Sequence, residues 1–192
     1  SGESNEMENI MQSIGIVSPV TKYSAGRLYH QQLARQIADI LLQQDRLRKL
    51  GGMVTLIDLY SLYNKARGTE LVSPDDLLAA CQRCHRMQLK VRLRRFETSG
   101  VMVMELVDLD TAALLRKVVQ YARDVYYANS RDGGVVGGIS RGVLPSHIAS
   151  ALRMSLFIAN ELIEQAEKAG HLCRDDSVHG VEYYPNLFAE FA

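Results

Sequence analysis

Tryptophan is absent from this chain, and cysteine occurs three times and proline four times in 192 residues. Each scarcity removes a class of protein. Cys81, Cys84 and Cys173 make no even disulfide framework, and so small a number fits a reducing compartment. They also fall short of a zinc site, because there is one C-x-x-C and no second pair. Neither sign of charge is in excess: 22 basic and 22 acidic residues leave a formal net charge of zero, so no overall field draws the chain to nucleic acid or anionic lipid. No apolar run approaches the roughly 18 residues of a membrane span. No N-terminal stretch has the charged, apolar and small-residue order of a signal peptide, so the expectation is a cytosolic protein. The chain opens Ser1-Gly2 rather than with methionine, which reads as a chain trimmed upstream of a further segment or domain.

What is present is ordinary globular material, 47% apolar and long enough for one large or two small cores. Residues 1–23 read as a lead-in strap, with a short helix over Met7 to Ser13 and a turn at GIVSPVT (15–21). From Ser24 to Leu47 one helical stripe runs through Tyr29, Leu33, Ile37, Ile40 and Leu41 and stops at Gly51-Gly52. MVTLIDLYSLYNKARG reads as a short strand entering a helix that Gly68 ends. The next helix is the best marked. Ser73 stands as N-cap, Pro74 at the first helical position, Asp75 and Asp76 at the positive end of the dipole, and Ser73 with Asp76 fits a capping box. LKVRLRRF and VMVMELV, joined by the ETSG turn at 97–100, then make a hairpin.

The same order recurs downstream. A helix from Thr111 to Tyr127 carries Leu115, Val118, Ala122, Val125 and Tyr126 on one face, and RDGGVVGG at 131–138 is a flexible stop. GVLPSHIASALRM repeats the strand-to-helix step, and SLFIANELIEQAEKAG repeats the capped helix with Leu156, Ala159, Ile163 and Ala166 inward. HLCRDD, the SVHG turn and VEYYPN form a second hairpin. The two capped helices start at Ser73 and Ser155, 82 residues apart. Helix, short strand, helix, capped helix and hairpin is the order of a winged helix. The expected fold is therefore α+β and helix-rich, with two tandem winged-helix domains at 24–108 and 109–192 behind the strap.

Three motifs bear on function. CQRCH at 81–85 has the form of a c-type haem attachment site, yet Leu77, Cys81 and Cys84 fall on one helical face, so both thiols read as core and His85 points away from it. Arg83, Arg86, Lys90, Arg92, Arg94 and Arg95 form a basic stretch without an acid, placed where a DNA-binding winged helix would use it. The equivalent helix downstream carries Glu161, Glu164 and Glu167 with only Lys168, which would repel phosphate. A solvated strand-edge pattern is the other reading of the basic stretch. VEYYPNLFAEF gathers Tyr183, Tyr184, Leu187, Phe188 and Phe191, either to close the second core or to form a partner surface. His30, His85, His147, His171 and His179 are scattered, with no H-E-x-x-H, G-x-S-x-G or P-loop, and GGVVGG reads as a hinge. No enzyme, cofactor or metal is expected. The open classes are a nucleic-acid-binding regulator, a monomeric adaptor with a peptide groove, and an assembly subunit.

GIVSPVT (15–21), LYNKARGTELVSPDDLLAAC (62–81), SGVMVMEL (99–106) and above all AGHLCRDDSVHGVEYYPNLF (169–188) resemble one family, over nearly all of residues 10–188. It is the vacuolar protein sorting-associated protein thirty-six family, the GLUE-bearing subunits of the ESCRT-II endosomal sorting complex. The resemblance implies two winged helices used for protein assembly rather than DNA. It implies a Y-shaped heterotetramer with one sister subunit of the twenty-two/EAP30 type and two copies of a twenty-five type subunit. That complex sorts ubiquitinated cargo into multivesicular bodies and leads to ESCRT-III recruitment. Ubiquitin and phosphoinositide would be bound only through an N-terminal GLUE domain that this sequence does not contain, and the protein would be cytoplasmic, recruited peripherally to endosomal membranes. By the same resemblance the second winged helix docks the twenty-five type subunit, with Asp175 or Asp176 as salt-bridge partner and Tyr183, Tyr184, Leu187 and Phe188 as apolar contacts.

Overall fold

The computed structural model describes residues 20–68, 70–131, 142–178 and 180–188. The expected helix at 7–13, residues 15–19 of the GIVSPVT turn, the glycine-rich stretch at 132–138 and Phe191 lie outside the described residues. The chain divides into two compact units, one ending at Leu109 and the other beginning at Asp110.

In the first unit the single helix expected from Ser24 to Leu47 is broken. Helix α1 (Lys22–Ala25) is followed by a tight turn at Gly26–Leu28, α2 (Tyr29–Leu42), a second tight turn at Gln43–Asp45 and α3 (Arg46–Lys49). Gln44 and Asp45 take left-handed backbone with φ of 55° and 54°, which turns the chain between α2 and α3. Arg46, nearly buried, donates to the Ile40 carbonyl at 3.3 Å and to Gln43 Oε1 at 3.0 Å, so it serves a carbonyl that the end of α2 leaves unpaired. The apolar period conceals the break because Leu47 is buried in the same core as Leu41.

Strand β1 (Met53–Thr55) leads into α4 (Leu56–Arg67), and α5 (Pro74–Arg86) precedes β2 (Val91–Arg95) and β3 (Met102–Leu106). Both helices begin with the same device. The Thr55 hydroxyl accepts from the Asp58 N–H at 3.1 Å and donates to the Asp58 carboxylate at 2.6 Å; Ser73 does the same with Asp76 at 3.2 and 2.8 Å. The strands form one antiparallel sheet in the order β1-β3-β2. Leu33, Ile37 and Leu41 from α2 meet Leu59 and Tyr63 from α4, Leu77, Cys81 and Cys84 from α5, and Val54, Val91 and Met104 from the sheet. Three helices over a three-stranded sheet with a β2–β3 hairpin make a winged helix.

The second unit repeats this order: α6 (Thr111–Arg131), α7 (Pro145–Leu152), α8 (Leu156–Lys168), β4 (Leu172–Ser177) and β5 (Gly180–Pro185). Ser155 caps α8, accepting from the Ile158 N–H at 3.4 Å. Helix α6 runs to Arg131 rather than Tyr127. The strand expected before α7 shrinks to Val143, bridged to Tyr183 by bonds of 2.8 and 3.0 Å. Pro145 at the first position of α7 makes Leu144 the N-cap, so Val143 is the last residue able to pair. Leu156, expected inward, is 46% exposed; the buried face of α8 is Ile158, Ala159, Leu162, Ile163 and Ala166, with Leu156 beside that stripe.

Asp76 ties the first unit at one point. Its carboxylate receives Lys22 Nζ at 2.7 Å, His30 Nε2 at 2.9 Å and the Ser73 hydroxyl, which brings α1 and α2 to the start of α5. Burial works to raise its pKa, but the bonds from Lys22, Ser73 and His30 outweigh it and hold the group down at about 2. Because this lies below its ordinary 3.8, the stabilisation is complete above that value and is lost as pH falls toward 2. Asp76→Asn should lower the unfolding free energy at pH 7 by about 1–2 kcal/mol, allowing for the exposure of Lys22. Urea unfolding at a series of pH values should show the difference from wild type closing as pH approaches 2; a gap independent of pH would contradict this account.

Candidate functional site

The residues expected to meet a partner lie on the second hairpin, and strand alternation divides them. In the β4–β5 register Arg174 stands opposite Tyr183 and Asp176 opposite Val181, whereas Cys173 stands opposite Tyr184 and Asp175 opposite Glu182. Adjacent residues of a strand point to opposite faces, so Asp175 and Asp176 cannot share one flat contact. Asp176 lies on the face of Tyr183, which is buried, and of Arg174, whose Nε donates to Glu167 of α8 at 3.1 Å. Asp175 lies on the face of Tyr184, whose hydroxyl donates to Glu182 Oε2 at 2.8 Å. Burial first, and then the Glu182 carboxylate, push the Tyr184 phenol upward; burial is also the leading cause of the upward shift of Tyr183.

Both aspartates are exposed, and neither carboxylate forms a hydrogen bond or ion pair among the described residues. Asp175 faces a second carboxylate, Glu182, across the ladder, an arrangement of like charges that a cation would relieve. Glu182 was not among the expected residues, although an acid at even spacing from Tyr184 in a strand is a readable signal. It also accepts the Gly142 N–H at 2.9 Å. A Cβ on Gly142 would stand 2.8 Å from both Glu182 Cβ and a Tyr184 ring carbon, so the backbone can approach this face only as glycine.

Of the apolar candidates, Tyr183 is core, Tyr184 and Leu187 are half-buried, and Phe188 is 83% exposed. Sequence reasoning missed Phe157, 65% exposed in the first turn of α8, and Val178, 96% exposed at the hairpin tip. Three consecutive apolar residues, Leu156, Phe157 and Ile158, directly after the Ser155 N-cap were the available signal, since a helix cannot turn all of them inward.

The basic stretch of the first unit is less basic than its sequence. Glu105, fully buried, lies opposite Arg92, accepting from its Nε at 2.7 Å and from Arg94 at 3.2 Å. Arg83 donates to the Ala79 carbonyl and Arg95 to the Gly100 carbonyl. The nucleic-acid reading therefore loses two of its guanidinium groups to a carboxylate on the neighbouring strand. Cys81 and Cys84 are buried, as expected; burial pushes the Cys84 thiol to about 11 and Cys81 further in the same direction, while His85 is exposed.

The fold and the exposed second hairpin define a tandem winged-helix protein. Among the described residues no helix is long and apolar enough to cross a membrane, and no group of three or more His, Cys, Asp or Glu side chains could hold a metal ion. The chain belongs to the EAP30/Vps36 family, which it matches over residues 1–176. It is 41% identical over 189 residues to vacuolar protein-sorting-associated protein 36 of Rattus norvegicus and 40% identical to that of Homo sapiens. Each alignment covers 97% of this chain and 44% of the relative, so the chain spans less than half the length of these curated relatives. The Drosophila melanogaster relative is 36% identical over 187 residues, covering 96% of this chain and 42% of that protein. A chain from the structure of the ESCRT-II endosomal trafficking complex superposes with a TM-score of 0.63 at 22% identity, covering 90% of this chain and 96% of that one. At that identity the likeness establishes the winged-helix fold.

Two predictions follow from these side chains. Glu105→Gln leaves two guanidinium groups without their carboxylate and should lower stability by about 2–3 kcal/mol, below the full cost of breaking a buried pair because both arginines are partly exposed. If Glu105 is what silences the basic stretch, this variant should bind a random DNA duplex more tightly than wild type in a low-salt titration; equal binding would contradict that role. Iodoacetamide at pH 8 should modify Cys173 in the folded protein and reach Cys81 and Cys84 only in denaturant, as read by mass spectrometry.

Proposed function

We propose that this chain is a non-catalytic scaffold subunit of an ESCRT-II complex. The observation that carries the reading is that its fold follows a chain of that complex over 90% of its own length, within a family that it matches over residues 1–176. In this reading it joins a Vps22-type subunit and two Vps25-type subunits in a heterotetramer that is recruited to endosomal membranes, sorts ubiquitinated cargo into multivesicular bodies and leads to ESCRT-III recruitment. Ubiquitin and phosphoinositide recognition is not assigned to these two winged helices in this reading; the resemblance gives it to the family's GLUE domain. The two winged helices work as rigid surfaces that set the geometry of assembly, with no bond made or broken. Interfaces of this obligate kind bury more than roughly 2,000 Å².

The second unit docks the Vps25-type subunit through its hairpin, with Phe188, Leu187 and Tyr184 as apolar contacts and one wing aspartate meeting a basic residue. Tyr183 contributes by holding the hairpin on its core. The cross-strand repulsion between Asp175 and Glu182 favours Asp175 as the group that receives the cation.

Light scattering of this chain co-expressed with Vps22-type and Vps25-type subunits should give a single species of one, one and two copies. A chain that remains a 21.5 kDa monomer beside both would overturn the scaffold reading. Within the assembly, Asp175→Lys should weaken Vps25-type binding at least ~10-fold and Asp176→Lys less than ~3-fold, measured calorimetrically on variants with wild-type circular dichroism. Wild-type affinity in both would remove the wing aspartates from the interface.

A further inference from the structure

A groove of about 910 Å³ in the first unit runs along the end of α2, the turn into α3, the end of α5 and the residues that follow β3. Its apolar floor is open. Leu42 and Leu89 are half-buried and Val107 is 43% exposed, beside buried Leu41, Leu47 and Leu106. The charged side chains on its rim divide into two groups. Arg48 Nη2 donates to Asp108 Oδ2 at 2.9 Å, and chiefly that bond, with the charge of Lys90 nearby, holds the Asp108 carboxyl below its usual range. Both rim cations are thereby drawn to one carboxylate, with the imidazole of exposed His85 on the α5 side. Asp39 and Asp45 are exposed, and neither carboxylate forms a hydrogen bond or ion pair among the described residues.

Each of these two acids stands where the fold makes no use of it. Asp39 lies in the last turn of α2, a turn without a basic residue, so its charge meets the negative end of the helix dipole. Arg35, four residues earlier, forms no ion pair with it among the described residues, and Arg46 just beyond the helix donates to the Ile40 carbonyl and to Gln43. Asp45 is the N-cap of α3, yet its side chain accepts no N–H of that helix. Its backbone is left-handed, with φ of 54°, as is that of Gln88, another lining residue, at 55°. Glycine would hold both positions without strain. Two side chains kept against local preference on one groove are the kind of outlier that accompanies a binding surface.

A small cation would satisfy the carboxylates and leave the floor uncovered. An apolar segment would cover the floor and leave the charges as they are. A lysine or arginine beside aliphatic side chains does both. We propose that this groove receives a basic and aliphatic segment of a partner protein, its cation meeting Asp39 and Asp45 and its aliphatic side chains covering Leu42, Leu89 and Val107. The inference is independent of the wing, because it concerns the other unit, and it stands whether or not the assembly reading holds.

The test is an NMR titration of the whole ¹⁵N-labelled chain with a short peptide of alternating lysine and leucine. Its controls are a lysine–serine peptide, which keeps the charge, and a glutamate–leucine peptide, which keeps the apolar side chains. The expected result is shifts centred on residues 38–48, 85–90 and 106–108, with affinity weakened at least ~10-fold by Asp39→Asn combined with Asp45→Gly and by raising salt from ~0.1 to ~0.5 M. Asp45→Gly is chosen because glycine fits the left-handed backbone, so its melting midpoint should not fall below that of wild type while its binding weakens. A variant that melts lower and binds the peptide as wild type does would assign the carboxylate to the fold and overturn the proposal. Equal binding of either control peptide, shifts centred on residues 175–182 instead, or no shifts at millimolar peptide would each overturn it as well.

Discussion

The carboxylate of Asp76 is the point on which the first unit depends. It closes the first turn of α5, and its remaining lone pairs take Lys22 and His30, so the segments that begin the described chain are tied to the helix that leads into the hairpin. Arg67 completes the tie from the other side. It is nearly buried, its side chain donates to the carbonyls of Val20 and Glu70 and to the Tyr63 hydroxyl, and its guanidinium lies 5.5 Å from the Tyr63 ring. Fixing where α5 starts also fixes its rotation, hence which side chains enter the core. Cys81 and Cys84 are buried because they lie four and seven residues beyond Leu77 on a helix that starts at Ser73. The C-x-x-C-H spelling is a by-product of that register.

The same scaffold carries different electrostatics in its two copies. In the first, the hairpin register sets Glu105 between Arg92 and Arg94, and a stretch that is basic in one dimension becomes partly compensated in three. In the second, the hairpin exposes Asp175 and Asp176 without a described partner, and Glu161 on α8 keeps one buried carboxylate oxygen with no hydrogen bond. A winged helix used for DNA places cations on its third helix and its wing. In the second unit of this chain the wing carries exposed Asp175 and Asp176 at that place, while on α8 Glu161 is buried and Glu167 is paired with Arg174.

Much of this was legible because local rules agree with the tertiary fold. Ser73, Pro74 and Asp76 announce α5, and Ser155 announces α8, because an N-cap is satisfied by atoms three residues away and needs nothing remote. The hairpins follow from alternation and turn chemistry in the same way. What was not legible depends on partners distant in sequence or on rare backbone. The break at Gln44-Asp45 leaves the apolar period intact, so periodicity reads straight through it. The reduction of a strand to Val143 depends on Pro145 and on the close approach of Gly142 to Glu182 and Tyr184, 40 and 42 residues away. Arg92 and Glu105 are 13 residues apart and meet only through a register that the turn decides. Among the expected site residues, strand alternation separates Asp175 from Asp176, a division that a motif written as adjacent letters conceals.

Edge chemistry narrows how the second hairpin can be used. Val143 pairs with β5, so among the described residues β4 has no second neighbour and its outer edge presents a row of backbone donors and acceptors. That edge carries Arg174, Asp175 and Asp176 in succession, and charged side chains on an edge strand are a recognised obstacle to strand addition. A partner is thereby steered away from extending the sheet and toward the side chains that stand off it. With a formal net charge of zero, no net charge draws a partner toward the chain, and the orientation of approach falls to the local charge patterns. The second unit supplies one in the acidic wing, while Phe157, Val178 and Phe188 offer apolar area to bury. Charge complementarity contributes orientation and apolar burial contributes affinity, and a unit that exposes both acids and apolar side chains admits few ways for a partner to satisfy all of them at once.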